Sequence, residues 1–102
     1  MITNKMRPIH PGEILREEYL NPSGLSANEL AIALGENTPK INDIVREKQG
    51  ITPNTTLRIT HYFGGDAPIW LNLQTAYEIK VAEEKIAGEL DRIIPLVAKI
   101  EL

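Results

Sequence analysis

Cysteine is absent, so neither a disulfide framework nor a thiolate metal site can form. Histidine is nearly absent. His10 and His61 are far apart in sequence, and no carboxylate cluster joins them at ligand spacing, so no metal site is assigned. There is no glycine loop to cradle a phosphate and no Ser/His/Asp set at workable spacing. Hence no catalytic residue is named, no cofactor is expected, and an enzyme is not indicated. No apolar run approaches the length of a membrane span, and the opening MITNKMRPIHPG has no apolar signal core. The expectation is a soluble cytoplasmic protein with no membrane partner. Excess positive charge is missing too: the net charge of −3 does not by itself favour a polyanion as partner.

What is present suits one globular domain. The 102 residues are 42% hydrophobic and 25% charged, and the seven glycines and seven prolines are scattered as punctuation. The central stretch is SANELAIALGENTPKINDIVR, Ser26 to Arg46. Ser26 and Glu29 have capping-box spacing, with Leu25 and Leu30 placed as a hydrophobic staple. Leu30, Ala31 and Leu34 form one apolar face, and Gly35 is a natural helix stop. Asn37 caps a second helix with Pro39 in its first turn, and Ile41, Ile44 and Val45 are its inner face. Two helices joined by a short glycine turn, with small Ala31 one turn before it, read as helix-turn-helix. An ordinary helical hairpin has the same marks, so this stretch alone leaves both open.

Charge is unevenly spread. Between Asn37 and Thr60 four basic residues (Lys40, Arg46, Lys48, Arg58) face two acidic ones, whereas from Ala76 onward six acidic residues outnumber four basic. The negative charge therefore sits away from the second helix of the pair.

Around this centre, a first helix opens at Pro11, with His10 in a helix-start or surface role. Ile14, Leu15, Tyr19 and Leu20 are its apolar stripe, and Asn21-Pro22-Ser23-Gly24 ends it, because Asn21 precedes proline. Thr52-Pro53 starts a fourth helix with Leu57, Ile59, Tyr62 and Phe63 inward. Asp66 caps a fifth, with Ile69, Trp70, Leu73 and Tyr77 as its buried stripe.

Four segments, HPGEILREEYL (His10–Leu20), GLSANELAIALG (Gly24–Gly35), GITPNTTLRITHYFGG (Gly50–Gly65) and PIWLNLQTAYE (Pro68–Glu78), together resemble the HigA/VapI branch of Xre-type helix-turn-helix proteins. The resemblance spans Arg7 to about Glu78, with HPGEIL and WLNLQ as its more specific marks. It implies an all-α, compact five-helix, lambda-repressor-like bundle over residues 7–78. An additional C-terminal helix would lie in 79–102. It further implies a DNA-binding antitoxin: a homodimer on a palindromic operator in its own promoter, and a HigB-like toxin that cleaves mRNA as partner. A free-standing Xre regulator, or an interaction module that has lost DNA binding, are the alternatives.

On that reading Lys40, Arg46 and Lys48 position phosphates, helped by Ser26 and Asn28. Thr38, Asn42 and Asp43 reach base edges: Asn42 reads adenine, Asp43 accepts from a cytosine amine, and Pro39 touches a thymine methyl. Three positions depart from the family. Glu36 replaces the usual aliphatic residue after the turn glycine and is expected to point to solvent. Lys40 stands where arginine is frequent. Glu47-Lys48-Gln49 replaces a Gly-Lys-Arg-like turn.

Beyond the resemblance, Ile79, Glu83, Ile86, Leu90, Ile93, Val97 and Ile100 step by four and three. Such a seam needs a partner: the chain's own bundle, a second protomer or a toxin. The stretch Ile79 to Ile94, ahead of Pro95, is expected to be helical. Ile79, Ile86, Leu90 and Ile93 are the candidate dimer or partner contacts.

Overall fold

The computed structural model describes residues 7–96, so Val97 and Ile100 of the seam lie outside the described residues. All regular elements there are helical. The first, α1, is one continuous rod of three segments: α-helical Pro11–Ile14, π-helical Leu15–Leu20 and α-helical Asn21–Ser23. It is followed by α2 (Ala27–Leu34), α3 (Thr38–Val45), α4 (Pro53–Phe63) and α5 (Ala67–Leu90).

Local chemistry accounts for most boundaries. The Ser26–Glu29 capping box forms in both directions, at 3.0 and 2.8 Å. Asn37 Oδ1 accepts from the Lys40 N–H at 2.8 Å, and Thr52 caps α4. At Gly24 and Gly35 the chain turns left-handed, and paired bonds reach back to satisfy the last carbonyls, Leu25 N–H to Leu20 O and Glu36 N–H to Ala31 O. The same closure ends α3, but there the left-handed residue is Glu47, at φ 65°.

The expected end within Asn21-Pro22-Ser23-Gly24 falls at its last residue, Gly24, but Asn21 is not pushed out of the helix as expected. Asn21 is helical (φ −60°, ψ −48°), its N–H reaches back five residues to Arg16 O, and the helix continues to Ser23. In an α-helix the Pro22 ring would meet the carbonyl four residues back. The wider π turn before it relaxes that crowding, and so the rod passes through the proline.

The core is Leu15, Leu20, Leu30, Ala31, Leu34, Ile41, Ile44, Ile51, Ile59 and Trp70, and against it Tyr19 packs with its ring tilted toward Phe63 and Trp70, centroids 5.1 and 5.3 Å away. Two expected stripes are corrected. On α4, Leu57 and Tyr62 are 62% and 47% exposed, and the inward face is Thr55, Thr56 and Ile59. Both threonines are fully buried; the Thr55 hydroxyl finds a carboxylate acceptor in Glu36, whereas the Thr56 hydroxyl has no hydrogen-bond partner among the described residues. On α5, Trp70 is buried but Ile69 is exposed, and Gln74 is buried in its place. Its Oε1 accepts from the Ile51 N–H at 2.8 Å, satisfying a backbone donor in the loop after α3. Asp66 occupies the N-cap position of α5 without a side-chain bond.

The C-terminal extension is the second half of α5, which passes Glu78 without a break. The helix ends at Leu90, short of the expected Ile94, and Asp91 and Arg92 turn away from it. Ile94 precedes Pro95, a position that disfavours helical geometry, and Gly88 weakens the preceding turn. Ile86 already departs from helical angles (φ −117°, ψ 19°). Ile79, Ile86, Leu90 and Ile93 are all exposed. The extension does not fold back on the bundle, and the molecule measures 55 × 26 × 24 Å. No described helix is long and apolar enough to cross a membrane.

His10 starts α1 from a buried position. Its Nδ1 accepts from the Gly12 N–H at 2.8 Å, and its ring meets Tyr77 of α5 edge-on at 4.8 Å. Burial pushes its pKa below the ordinary histidine value; Arg16 adds to this, while Glu47 and Glu78 oppose it. The folded state thus prefers neutral His10, whereas the unfolded chain protonates it near 6.5. Its stabilisation should be complete above about pH 6.5 and fade as pH falls through the lower folded value. Urea unfolding at pH 7.5 and 5.5 should show this loss in the wild type. His10→Asn, which keeps an acceptor for Gly12 but cannot titrate, should show a smaller one. Equal losses in both would remove His10 as the cause.

Candidate nucleic-acid interface

The outward face of α3 is positioned from its far end. Gly12 of α1 lies against the last turn of α3 so closely that a Cβ there would overlap the Ile44 carbonyl oxygen. Only glycine permits this approach. Beside it, Arg16 donates through Nη1 to Val45 O at 2.6 Å and pairs through Nη2 with Glu47 at 3.2 Å. A guanidinium at a helix C-terminus satisfies an orphan carbonyl and opposes the dipole's negative end. Ile41 and Ile44, both fully buried, fix the rotation of α3 about its axis.

That rotation leaves Pro39 and Arg46 exposed and Thr38, Lys40, Asn42 and Asp43 half-buried on the outer side. Asn28 and Asn42 are brought together: Asn42 Nδ2 donates to Asn28 Oδ1 at 2.8 Å and to Thr38 O at 3.0 Å. The bond ties the first turn of α2 to α3 and leaves Asn42 Oδ1 and Asn28 Nδ2 for other partners. Arg46 and Lys48 are exposed, and among the described residues no carboxylate pairs with either. Ser26 is at the same edge, but its hydroxyl already caps α2.

Contrary to expectation, Glu36 does not point to solvent. Its side chain is 9% exposed, and Oε2 lies 3.1 Å from Thr55 Oγ1 and 3.5 Å from both Lys40 Nζ and Arg58 Nε. A carboxylate at a buried position is tolerated when it is paired and hydrogen-bonded, and here two cations and a hydroxyl do both. Lys40 is consequently turned toward Glu36. Arg58, which sequence reasoning did not assign to the site, also donates to the Leu34 and Gly35 carbonyls at 2.8 and 3.3 Å, clasping the turn between α2 and α3. The Glu36–Lys40 spacing of four was a legible signal. Nothing in the sequence marks the link to Arg58.

An exposed, doubly capped helix set against a second one across a glycine turn is the geometry of a DNA-reading pair. Virulence-associated protein I of Dichelobacter nodosus is 59% identical over 93 residues, covering 91% of this chain and 85% of that protein. Antitoxin HigA of Pseudomonas aeruginosa, solved with the higBA promoter, superposes with a TM-score of 0.85 at 43% identity, over 88% of this chain and 99% of that one. The chain belongs to the HigA antitoxin family. An addiction module antidote protein of the HigA family from Coxiella burnetii matches similarly, with a TM-score of 0.82 and 43% identity over 88% and 99% of the two chains. No family model matches the sequence. The two HigA-like marks now have physical roles in this chain. HPGEIL supplies the cap and the glycine that seat α1 on α3, and the glutamine of WLNLQ holds the loop that follows α3.

Proposed function

We propose that this chain is a cytoplasmic, homodimeric antitoxin that represses its own operon and silences a HigB-like mRNA-cleaving toxin. Each protomer sets α3 in the major groove of one half of a palindromic operator. The observation that carries this reading is the outer face of α3: an Asn28–Asn42 amide pair that leaves an acceptor and a donor for other partners, flanked by exposed Arg46 and Lys48, which pair with no carboxylate among the described residues. Amides of this kind match the N6 and N7 edge of adenine, while the cations suit phosphates. The promoter bound to HigA of P. aeruginosa supports the same choice of ligand. Glu47 and Asp43 are the only carboxylates between Asn37 and Thr60, and Glu47 is engaged by Arg16. Recovery of the operon neighbour in complex with this chain would test the toxin partnership; a neighbour that does not bind would leave a free-standing regulator.

Titration against the chain's promoter duplex tests the assignment of roles. Arg46→Ala should weaken promoter and scrambled duplexes alike and shallow the salt dependence by about one unit. Asn42→Ala should cost about 1–3 kcal/mol on the promoter and leave scrambled DNA nearly unaffected. A uniform loss from Asn42→Ala would place a different face in the groove.

The dimer contact we assign to the exposed apolar side of α5, through Ile79, Ile86 and Leu90, with Ile93 just beyond its end. An exposed stripe of this length promotes association. Because these side chains contribute little to the bundle, Ile86→Asp with Leu90→Asp should leave the circular dichroism intact. Sedimentation should then report a monomer, and promoter affinity should fall because paired half-sites can no longer be read together. A folded double mutant that stays dimeric would move the contact elsewhere.

A further inference from the structure

Glu36 places a carboxylate beside Lys40, at the N-terminal end of α3, where approaching phosphate should be repelled. Its surroundings are asymmetric. Thr55 and Arg58 hold Oε2 from the α4 side, and Arg58 is itself anchored by the Leu34 and Gly35 carbonyls and by Asn54. These contacts fix the anion whether or not Lys40 is there. Lys40 is the movable member: its ammonium has no ion-pair partner but Glu36 among the described residues, and it sits on a flexible four-carbon stem. The pair is a clamped anion next to a cation that can leave.

We propose, resting on the reading that this face binds duplex DNA, that Glu36 competes with phosphate for Lys40. Paired with Glu36, the lysine is neutralised in the free protein. A phosphate that reaches it must either draw it off the carboxylate or settle beside a negative charge. Either route costs the same on every sequence, because no base edge takes part. Glu36 therefore lowers the sequence-independent part of DNA affinity and leaves a larger share of binding to the base contacts of Asn42. It sets the sequence-independent affinity of the face and touches no base. An aliphatic side chain at this position would leave Lys40 free.

The test is fluorescence anisotropy of wild type and Glu36→Gln on the promoter duplex and on a scrambled duplex of equal length, across about 50 to 200 mM salt. Glutamine keeps the size of the side chain and an oxygen that can accept from Thr55. The variant should bind both duplexes more tightly by a similar factor, about 3–10-fold near 100 mM salt. Its slope of log affinity against log salt should steepen by up to about 0.9, the value of one added phosphate contact. In a Lys40→Ala background the same substitution should change neither quantity. A folded variant that binds no more tightly, or one that gains equally without Lys40, overturns the proposal. Should Glu36→Gln not fold, Glu36→Leu is read against the same outcomes. A wild type that binds both duplexes equally overturns the operator reading, while the ratio of variant to wild type still decides the role of Glu36. Wild type and variant that bind neither duplex at low salt overturn both.

Discussion

The structure depends on one backbone contact, the approach of Gly12 to the carbonyl of Ile44. It sets α1 across the C-terminal turn of α3, and the surrounding bonds follow from that placement. Arg16, one turn along α1, reaches the Val45 carbonyl and Glu47. His10, just before α1, caps it and meets Tyr77 of α5. The far side of the same region is closed by Gln74, which also lies against Gly50 and bonds Ile51. The helix proposed to enter DNA is thus held at its end by α1 and in the following loop by α5, and its outer face takes part in neither contact.

An acidic chain can present a DNA-binding face because its charges are sorted. From Ala76 onward six acidic residues outnumber four basic, and four of the six, Glu78, Glu83, Glu84 and Glu89, lie on the second half of α5. Those near α3 are mostly committed: Glu47 to Arg16, Glu36 to Thr55, Lys40 and Arg58. A partly exposed pair such as Arg16–Glu47 contributes little to stability, and its value lies in deciding which cations remain available. Arg46 and Lys48 are available; Lys40 is conditionally so.

What the sequence shows clearly is what depends on neighbouring residues. The Ser26–Glu29 box, the Asn37 and Thr52 caps, and the stops at Gly24 and Gly35 were all legible, because each rests on bonds within six positions. So was the inner face of α3. The candidate DNA-binding residues could be named as the polar side of that helix, but the Asn28–Asn42 bond could not, since it needs the crossing of two helices. The burial of Glu36 is illegible for the same reason: it depends on Arg58 and Thr55, more than a dozen residues away. On α4, Leu57 and Tyr62 outweigh Thr55 and Thr56 by hydrophobicity, yet both threonines are buried, Thr55 with Glu36 as acceptor for its hydroxyl and Thr56 with no hydrogen-bond partner among the described residues. A π turn has no sequence signature that announces it, so Pro22 reads as a helix breaker although the rod passes through it.

The central claim is that the seat of Gly12 on α3 governs the reading face. Gly12→Ala tests it most directly, compared with Gly88→Ala, whose added methyl meets nothing within 4 Å. Overpacking against backbone should cost Gly12→Ala roughly 3 kcal/mol in urea unfolding. Amide shifts of the folded variant should spread from Ile44 and Val45 along α3, with promoter affinity falling at least about tenfold, or about 1.4 kcal/mol. Gly88→Ala should keep both and gain about 0.5–1 kcal/mol in stability. A Gly12→Ala variant with wild-type stability, unshifted α3 amides and full promoter affinity would contradict the account.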